Sequence, residues 1–126
     1  MTRRLLMIED EDDIREVAST ALEVIGGFTV ATASSGPEGI DAAAATHPDA
    51  ILLDVMMPGI DGPETLRRLR EREETRGIPV VFLTASVQSA DIEALRGLDC
   101  AGVIAKPFDP VTLADQVRQV LGWSAS

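Results

Sequence analysis

The stretch Ala50-Ile-Leu-Leu-Asp-Val-Met-Met-Pro-Gly-Ile-Asp-Gly62 decides how the rest of the chain is read. Its first four residues are apolar without interruption. A strand with one face in water alternates apolar and polar residues, so an unbroken run suits a central parallel strand with helices on both faces. The run stops at a carboxylate, Asp54, and a Pro-Gly turn follows. Two other runs share this character, Leu5-Leu-Met-Ile8 and Val80-Val-Phe-Leu83. Phe28-Thr-Val-Ala-Thr32 alternates, as an edge strand does, and the short Val103-Ile-Ala105 suits the opposite edge.

Helical stretches lie between these runs. Asp12 or Asp13 can cap a first helix with Ile14, Val17, Ala18, Ala21 and Ile25 along one stripe, and Gly26-Gly27 ends it. Ser35 can cap a second, with Pro37 early in it, that runs to His47-Pro48. Gly62-Pro63 opens a third, Glu64 to Thr75, and a fourth runs from about Ser89 to Leu98. Asp109-Pro110 reads as an N-cap with proline at the first helical position. It would open a fifth helix with Leu113, Val117, Val120 and Leu121 on one face. Strict strand–helix alternation places the chain in the α/β class, with a single parallel sheet and right-handed crossovers. Residues 1–122 form one domain on this reading, and 123–126 a C-terminal tail.

Bulk properties narrow the function. The chain has 126 residues, enough for one core, and 45% hydrophobic residues, ordinary for a folded domain. With no Tyr, three Phe and one Trp, the core must be aliphatic. A formal net charge of −10 opposes direct binding to nucleic acid or to an anionic membrane and leaves cationic partners and metal ions. The single cysteine, Cys100, cannot form an internal disulfide and fits a reducing cytoplasm, where it reads as a free buried thiol. The apolar start of the chain meets acids at Glu9 to Asp13, too soon for a signal peptide or a membrane span.

Chemistry gathers where the apolar runs end. The first run ends in Glu9-Asp10, the third strand in Asp54, the fourth in Thr84 and the fifth in Lys106. In an open parallel sheet the carboxyl ends of the strands share an edge, so these side chains converge there. Two carboxylates about 4 Å apart repel by roughly 4 kcal/mol at an effective dielectric near 20. A raised pKa, the Lys106 ammonium or a divalent cation must offset that. Oxygen ligands without His or Cys select a hard ion, and one or two carboxylates with waters and a phosphate oxygen is the usual magnesium arrangement. Beside a metal and a lysine, Asp54 is placed to attack phosphorus.

Glu9-Asp10-Glu11 after a strand, Asp54 to Gly62, Leu83-Thr-Ala85 and Ala105-Lys-Pro-Phe108 together resemble the signature set of response-regulator receiver domains, over about Arg4 to Gly122. The resemblance implies a doubly wound, five-stranded (βα)5 flavodoxin-like fold with strand order 2-1-3-4-5. It implies that Asp54 accepts a phosphoryl group from a histidine kinase or phosphotransfer protein, acting on a downstream target or fused output domain. Asp10 then matches the direct Mg2+ ligand, Glu9 the acid that holds a metal-bound water, and Met56 the position whose backbone carbonyl binds the metal. Thr84 matches the switch hydroxyl, Ala85 the small residue beside it, Lys106 the phosphoryl-contacting lysine and Pro107 the cis proline. One position departs from the pattern: Val103 stands where receivers commonly carry an aromatic that swings inward with the switch threonine.

Other readings compete less well. Phosphohydrolases of the haloacid-dehalogenase type also use a strand-end aspartate and magnesium, but carry a second Asp two residues on, where this chain has Met56. A flavodoxin-like nucleotide binder needs a phosphate loop after the first strand, and Glu9 to Asp13 would repel phosphate. A receiver-like binding module that is never phosphorylated usually lacks an acid or the lysine. The remaining polar residues carry no expected chemistry. Asp61-Gly62 reads as a turn, Met57 as loop packing, and His47 as exposed. The set Arg67, Arg68, Arg70, Arg72 and Arg76 reads as a solvated face, and Trp123 as a cover for the last helix or a partner contact.

Overall fold

A computed structural model describes residues 2–86 and 88–124. Ala125 and Ser126, the end of the expected tail, lie outside the described residues. The order is β1 (Arg4–Ile8), α1 (Asp12–Val24), β2 (Thr29–Ala33), α2 (Gly36–Thr46), β3 (Ala50–Asp54), α3 (Gly62–Glu71), β4 (Val80–Thr84), α4 (Ser89–Arg96), β5 (Gly102–Ala105) and α5 (Leu113–Leu121). All strand pairs are parallel, and the sheet runs β2-β1-β3-β4-β5, as the resemblance implied.

Side chains alternate across the sheet, and both faces are buried, which is why the central runs are apolar throughout. On one face Leu5, Met7, Leu52, Val81 and Leu83 pack with Ala18 and Leu22 of α1 and Leu113 and Val117 of α5. On the other, Leu6, Ile8, Ile51, Leu53 and Phe82 pack with Ile40 and Ala43 of α2, Leu66 and Leu69 of α3, and Leu95 of α4. Ser35 caps α2 as expected, its hydroxyl accepting the Glu38 N–H at 3.3 Å.

Several helix details differ from the sequence reading. Glu11 occupies the N-cap of α1 without a side-chain bond, so Asp12 and Asp13 sit in the first turn, where carboxylates meet the positive end of the helix dipole. The buried face of α1 is Ala18, Ala21 and Leu22, whereas Val17 and Ile25 are about half exposed, at 50% and 52%. The helix holds more apolar residues than one face can bury, so periodicity admitted two stripes, and packing selected the one with small alanines toward the sheet. α3 stops at Glu71 rather than Thr75. The buried Thr75 hydroxyl donates to the Leu69 carbonyl at 2.7 Å, taking an acceptor that another helical turn would use. α5 starts at Leu113, because Asp109 organises a separate turn first: its carboxylate accepts the Val111 N–H and its carbonyl the Leu113 N–H.

Arg70 is not part of a solvated face. It donates to the Ile78 and Asp99 carbonyls at 2.8 and 2.9 Å and so fastens α3 to the segments entering β4 and β5. Arg67 and Arg68 do pair with Glu64, each one turn away on the exposed face, and they hold its carboxyl down at about 2. Cys100 is half-buried and donates to the Leu95 carbonyl, and burial pushes its thiol up. His47 is exposed and ends α2 in the left-handed region. Trp123 packs against Phe28 with the Arg3 guanidinium 4.2 Å above its ring, so it covers the α1–β2 corner.

Asp61-Gly62 is more than a turn. Asp61 caps α3 by accepting the Glu64 N–H at 2.9 Å, and a Cβ on Gly62 would lie 2.6 Å from the Asp54 carbonyl oxygen and 2.8 Å from the Val55 Cα. Both obstacles are backbone, so they cannot swing aside. Gly62→Ala is expected to cost about 1–3 kcal/mol, the usual range for overpacking. Urea unfolding should show a lower midpoint at unchanged slope, and a midpoint equal to that of the unmodified protein would contradict the close approach.

Candidate functional site

Strand register assembles the site. Ile8 lies opposite Leu53, so Glu9 emerges beside Asp54. Asp54 lies opposite Leu83, and Thr84 opposite Ala105, so Lys106 emerges next to Thr84. The Lys106 N–H continues the ladder by donating to the Thr84 carbonyl at 2.7 Å, which aims its side chain back over the sheet edge. Its Nζ donates to Glu9 Oε1 at 2.5 Å and to Asp54 Oδ1 at 3.0 Å. The lysine therefore reaches across β4 to join the ends of β1 and β3.

These groups are withdrawn from water. Glu9 is fully buried, and Asp54 and Thr84 are 5% and 4% exposed. Burial raises the Glu9 carboxyl above the ordinary carboxylate value, even though the Lys106 hydrogen bond and the Glu11 N–H at Glu9 Oε2 pull it down. Burial also pushes Lys106 down, but its hydrogen bonds to Glu9 and Asp54 outweigh that and leave it raised. The ammonium form is thus the stable one here. The Arg15 guanidinium donates to the Glu9 carbonyl at 2.9 Å and fixes the turn that carries Asp10.

Carboxylate oxygens of Glu9, Asp10 and Asp54 all lie within 4.8 Å of one another. One ammonium faces three carboxylates, so a fully ionised cluster keeps an excess of negative charge. Hard oxygen donors at this spacing, with no His or Cys among them, fit a cation such as Mg2+. Met56 follows in the loop after β3, with an exposed side chain, and Met57 is buried as packing. Thr84 Oγ1 accepts the Ser86 N–H at 3.1 Å, and Ala85 lines the cleft above Asp54. The Lys106–Pro107 peptide is cis.

The sequence reading named the polar groups but not the walls around them. A cleft of about 590 Å³ opens over Asp54, lined by Ile14, Val17, Met56, Phe108 and Pro110 among others. Ile14 and Val17, apolar positions on the outer side of α1, are the signal in the sequence for it.

Doubly wound sheet, buried strand-end aspartate and the lysine bonded to it define a receiver. The profile of the response regulator receiver domain matches residues 5–118, and the chain belongs to that family. It is thereby a signalling domain of two-component systems. The transcriptional regulatory protein CseB of Streptomyces avermitilis is 41% identical over 119 residues, 93% of this chain and 48% of that protein. The chain thus spans about half the length of that relative. The polar-differentiation response regulator DivK of Brucella ovis is 33% identical over 122 residues, covering 97% of this chain and 98% of its own. Among solved structures, the chemotaxis response regulator CheY4 of Vibrio cholerae superposes with a TM-score of 0.87 at 28% identity, over 95% of this chain and 99% of that one.

The geometry separates two substitutions. Lys106→Met strands Glu9 and Asp54 as buried carboxylates without a cation, and in metal-free buffer it should cost about 3–5 kcal/mol. Asp54→Asn relieves repulsion while the Lys106–Glu9 pair stays, and it should be neutral or stabilising. Thermal melts in chelator check both. A clear loss in Asp54→Asn, or none in Lys106→Met, would contradict the charge balance described above.

Proposed function

We propose that Asp54 accepts a phosphoryl group from a histidine kinase or histidine phosphotransfer protein. Mg2+ would be held by Asp10, Asp54, the Met56 backbone carbonyl and, through a water, Glu9. The observation that carries this reading is the Lys106 Nζ seated between Glu9 and Asp54, with the Asp10 carboxylate close by.

Each side chain has a defined task in that transfer. An Asp54 carboxylate oxygen attacks phosphorus, and the bond to the donor nitrogen breaks. The two anions must approach within bonding distance, so the obstacle is electrostatic. Lys106, kept protonated by its two carboxylate partners, is placed to donate to a phosphoryl oxygen. The Thr84 hydroxyl can supply a second donor, and the small Ala85 leaves backbone accessible beside it. When bound, Mg2+ supplies further neutralisation of the transferred oxygens. With Met56 at the position where phosphohydrolases of similar chemistry carry a second aspartate, release by water should be slow. The domain then catalyses only its own phosphorylation and slow dephosphorylation.

The donor's surface has a natural seat. Val17 and Val24 project from α1, Ile25 from its C-cap and Val111 from the turn before α5, all at least half exposed. A second cleft along this face shares Val17 and Pro110 with the opening over Asp54. Glu11, Asp13 and Glu16 rim it, so an apolar helix flanked by basic residues fits. Residues 1–122 serve as the receiver unit in this reading, with 123–126 as a tail, acting in the cytoplasm on a target protein or a fused output domain. Among the described residues no helix is long and apolar enough to cross a membrane.

Incubation with acetyl phosphate and Mg2+, followed by intact mass spectrometry, tests the assignment. The unmodified protein should gain one phosphoryl group, and Asp54→Asn none. An equal gain in both would remove Asp54 from the role.

A further inference from the structure

Thr84 is linked to more than the cluster. Its Oγ1 accepts the Ser86 N–H at 3.1 Å, and among the described residues it bonds neither Asp54 nor Lys106. The Ser86 hydroxyl donates to Asp91 Oδ2 at 2.7 Å and accepts the Gln88 N–H at 3.3 Å. Asp91 lies in the first turn of α4, and Gln88 is the N-cap of that helix. A continuous path of hydrogen bonds therefore runs from the strand-end hydroxyl to the start of the helix.

α4 has little else to hold that end. It is eight residues long, its cap makes no side-chain bond, and Leu95, in its last turn, is its buried residue. A helix that short is marginal without tertiary contacts. The neighbouring β5 offers no alternative moving part, because Val103 is half-buried against the core, β-branched and stiff.

We infer that Ser86 and Asp91 are positioning residues that couple the Thr84 hydroxyl to the first turn of α4. The functional half of this inference rests on the proposed phosphorylation of Asp54. Drawing the hydroxyl toward an anion on Asp54 pulls on the Ser86 amide, and the Ser86–Asp91 bond passes that displacement to the helix. Coupling is reciprocal, so a broken link should also favour the anion-bound form.

Amide hydrogen exchange tests this on the full chain, with and without beryllofluoride and Mg2+. In the ligand-free protein Asp91→Ala should speed exchange of the α4 amides roughly fivefold, the factor that accompanies one net hydrogen bond, and Ser86→Ala, which also loses the Gln88 N–H bond, by at least as much. The double variant should match Ser86→Ala, because Asp91→Ala removes only a bond that Ser86→Ala has already lost. Asp91→Asn keeps an acceptor and should restore slow exchange. In the unmodified protein beryllofluoride should change exchange in Thr84 to Ser86 and in α4, and only slightly at Val103. In Ser86→Ala the α4 change should vanish, although Asp54 is still labelled by acetyl phosphate. Unaltered α4 exchange in the ligand-free variants, or a full α4 response in Ser86→Ala, would overturn the inference. If the unmodified protein takes no phosphoryl group, the reading of Asp54 falls, while the ligand-free comparison still decides whether Ser86 and Asp91 hold α4.

Discussion

One half-buried ammonium, that of Lys106, sits between two carboxylates that would otherwise repel each other. At about 4 Å such a pair costs roughly 4 kcal/mol even at a generous effective dielectric. The architecture follows from the need to hold that arrangement in place. Glu9 and Asp54 come from adjacent strands, and Lys106 from a strand beyond β4, so only a closed register across β1, β3, β4 and β5 brings the three together. The scaffold is stiff because both faces of the sheet are filled with aliphatic side chains, each large one contributing roughly 1.5–3 kcal/mol on burial. That apolar core offsets the strain of concentrating carboxylates at one edge.

The same economy explains how rigid and movable parts divide. β3 and β4 are buried along their whole length, Gly62 packs directly on the Asp54 carbonyl, and Arg70 fastens α3 to its neighbours. By contrast α4 hangs on one buried leucine and a chain of exposed hydrogen bonds. Elements with few buried contacts open at low free energy, so a signal generated at the rigid edge has an obvious place to go.

Much of this was legible in the residues. Unbroken apolar runs gave the central strands, and their polar terminators gave the site, because strand ends in a parallel sheet share an edge whatever the helices do. Family resemblance supplied the strand order and the cis proline at 107, and the roles proposed for Met56 and Thr84 rest on it alone, since no spacing rule encodes them. Helix faces were harder. α1 carries enough apolar residues for two stripes, and only packing against β1, β2 and α5 shows that Val17 and Ile25 look outward. The end of α3 and the start of α5 depended on single hydrogen bonds, from the Thr75 hydroxyl and to the Asp109 carboxylate, that compete with the next turn. The Ser86–Asp91 link was equally hidden, since two polar residues five apart in a loop and a helix carry no distinctive pattern.

On the proposed reading, excess carboxylate at the sheet edge is balanced by a divalent cation as well as by Lys106. Thermal unfolding across a Mg2+ titration measures this most directly, because a ligand that binds only the folded state raises the midpoint with concentration. The unmodified protein should show a steady rise, and Asp10→Asn, which keeps size and shape but loses a ligand charge, should lose most of it. An equal rise in both proteins, or no rise in the unmodified one, would contradict the claim.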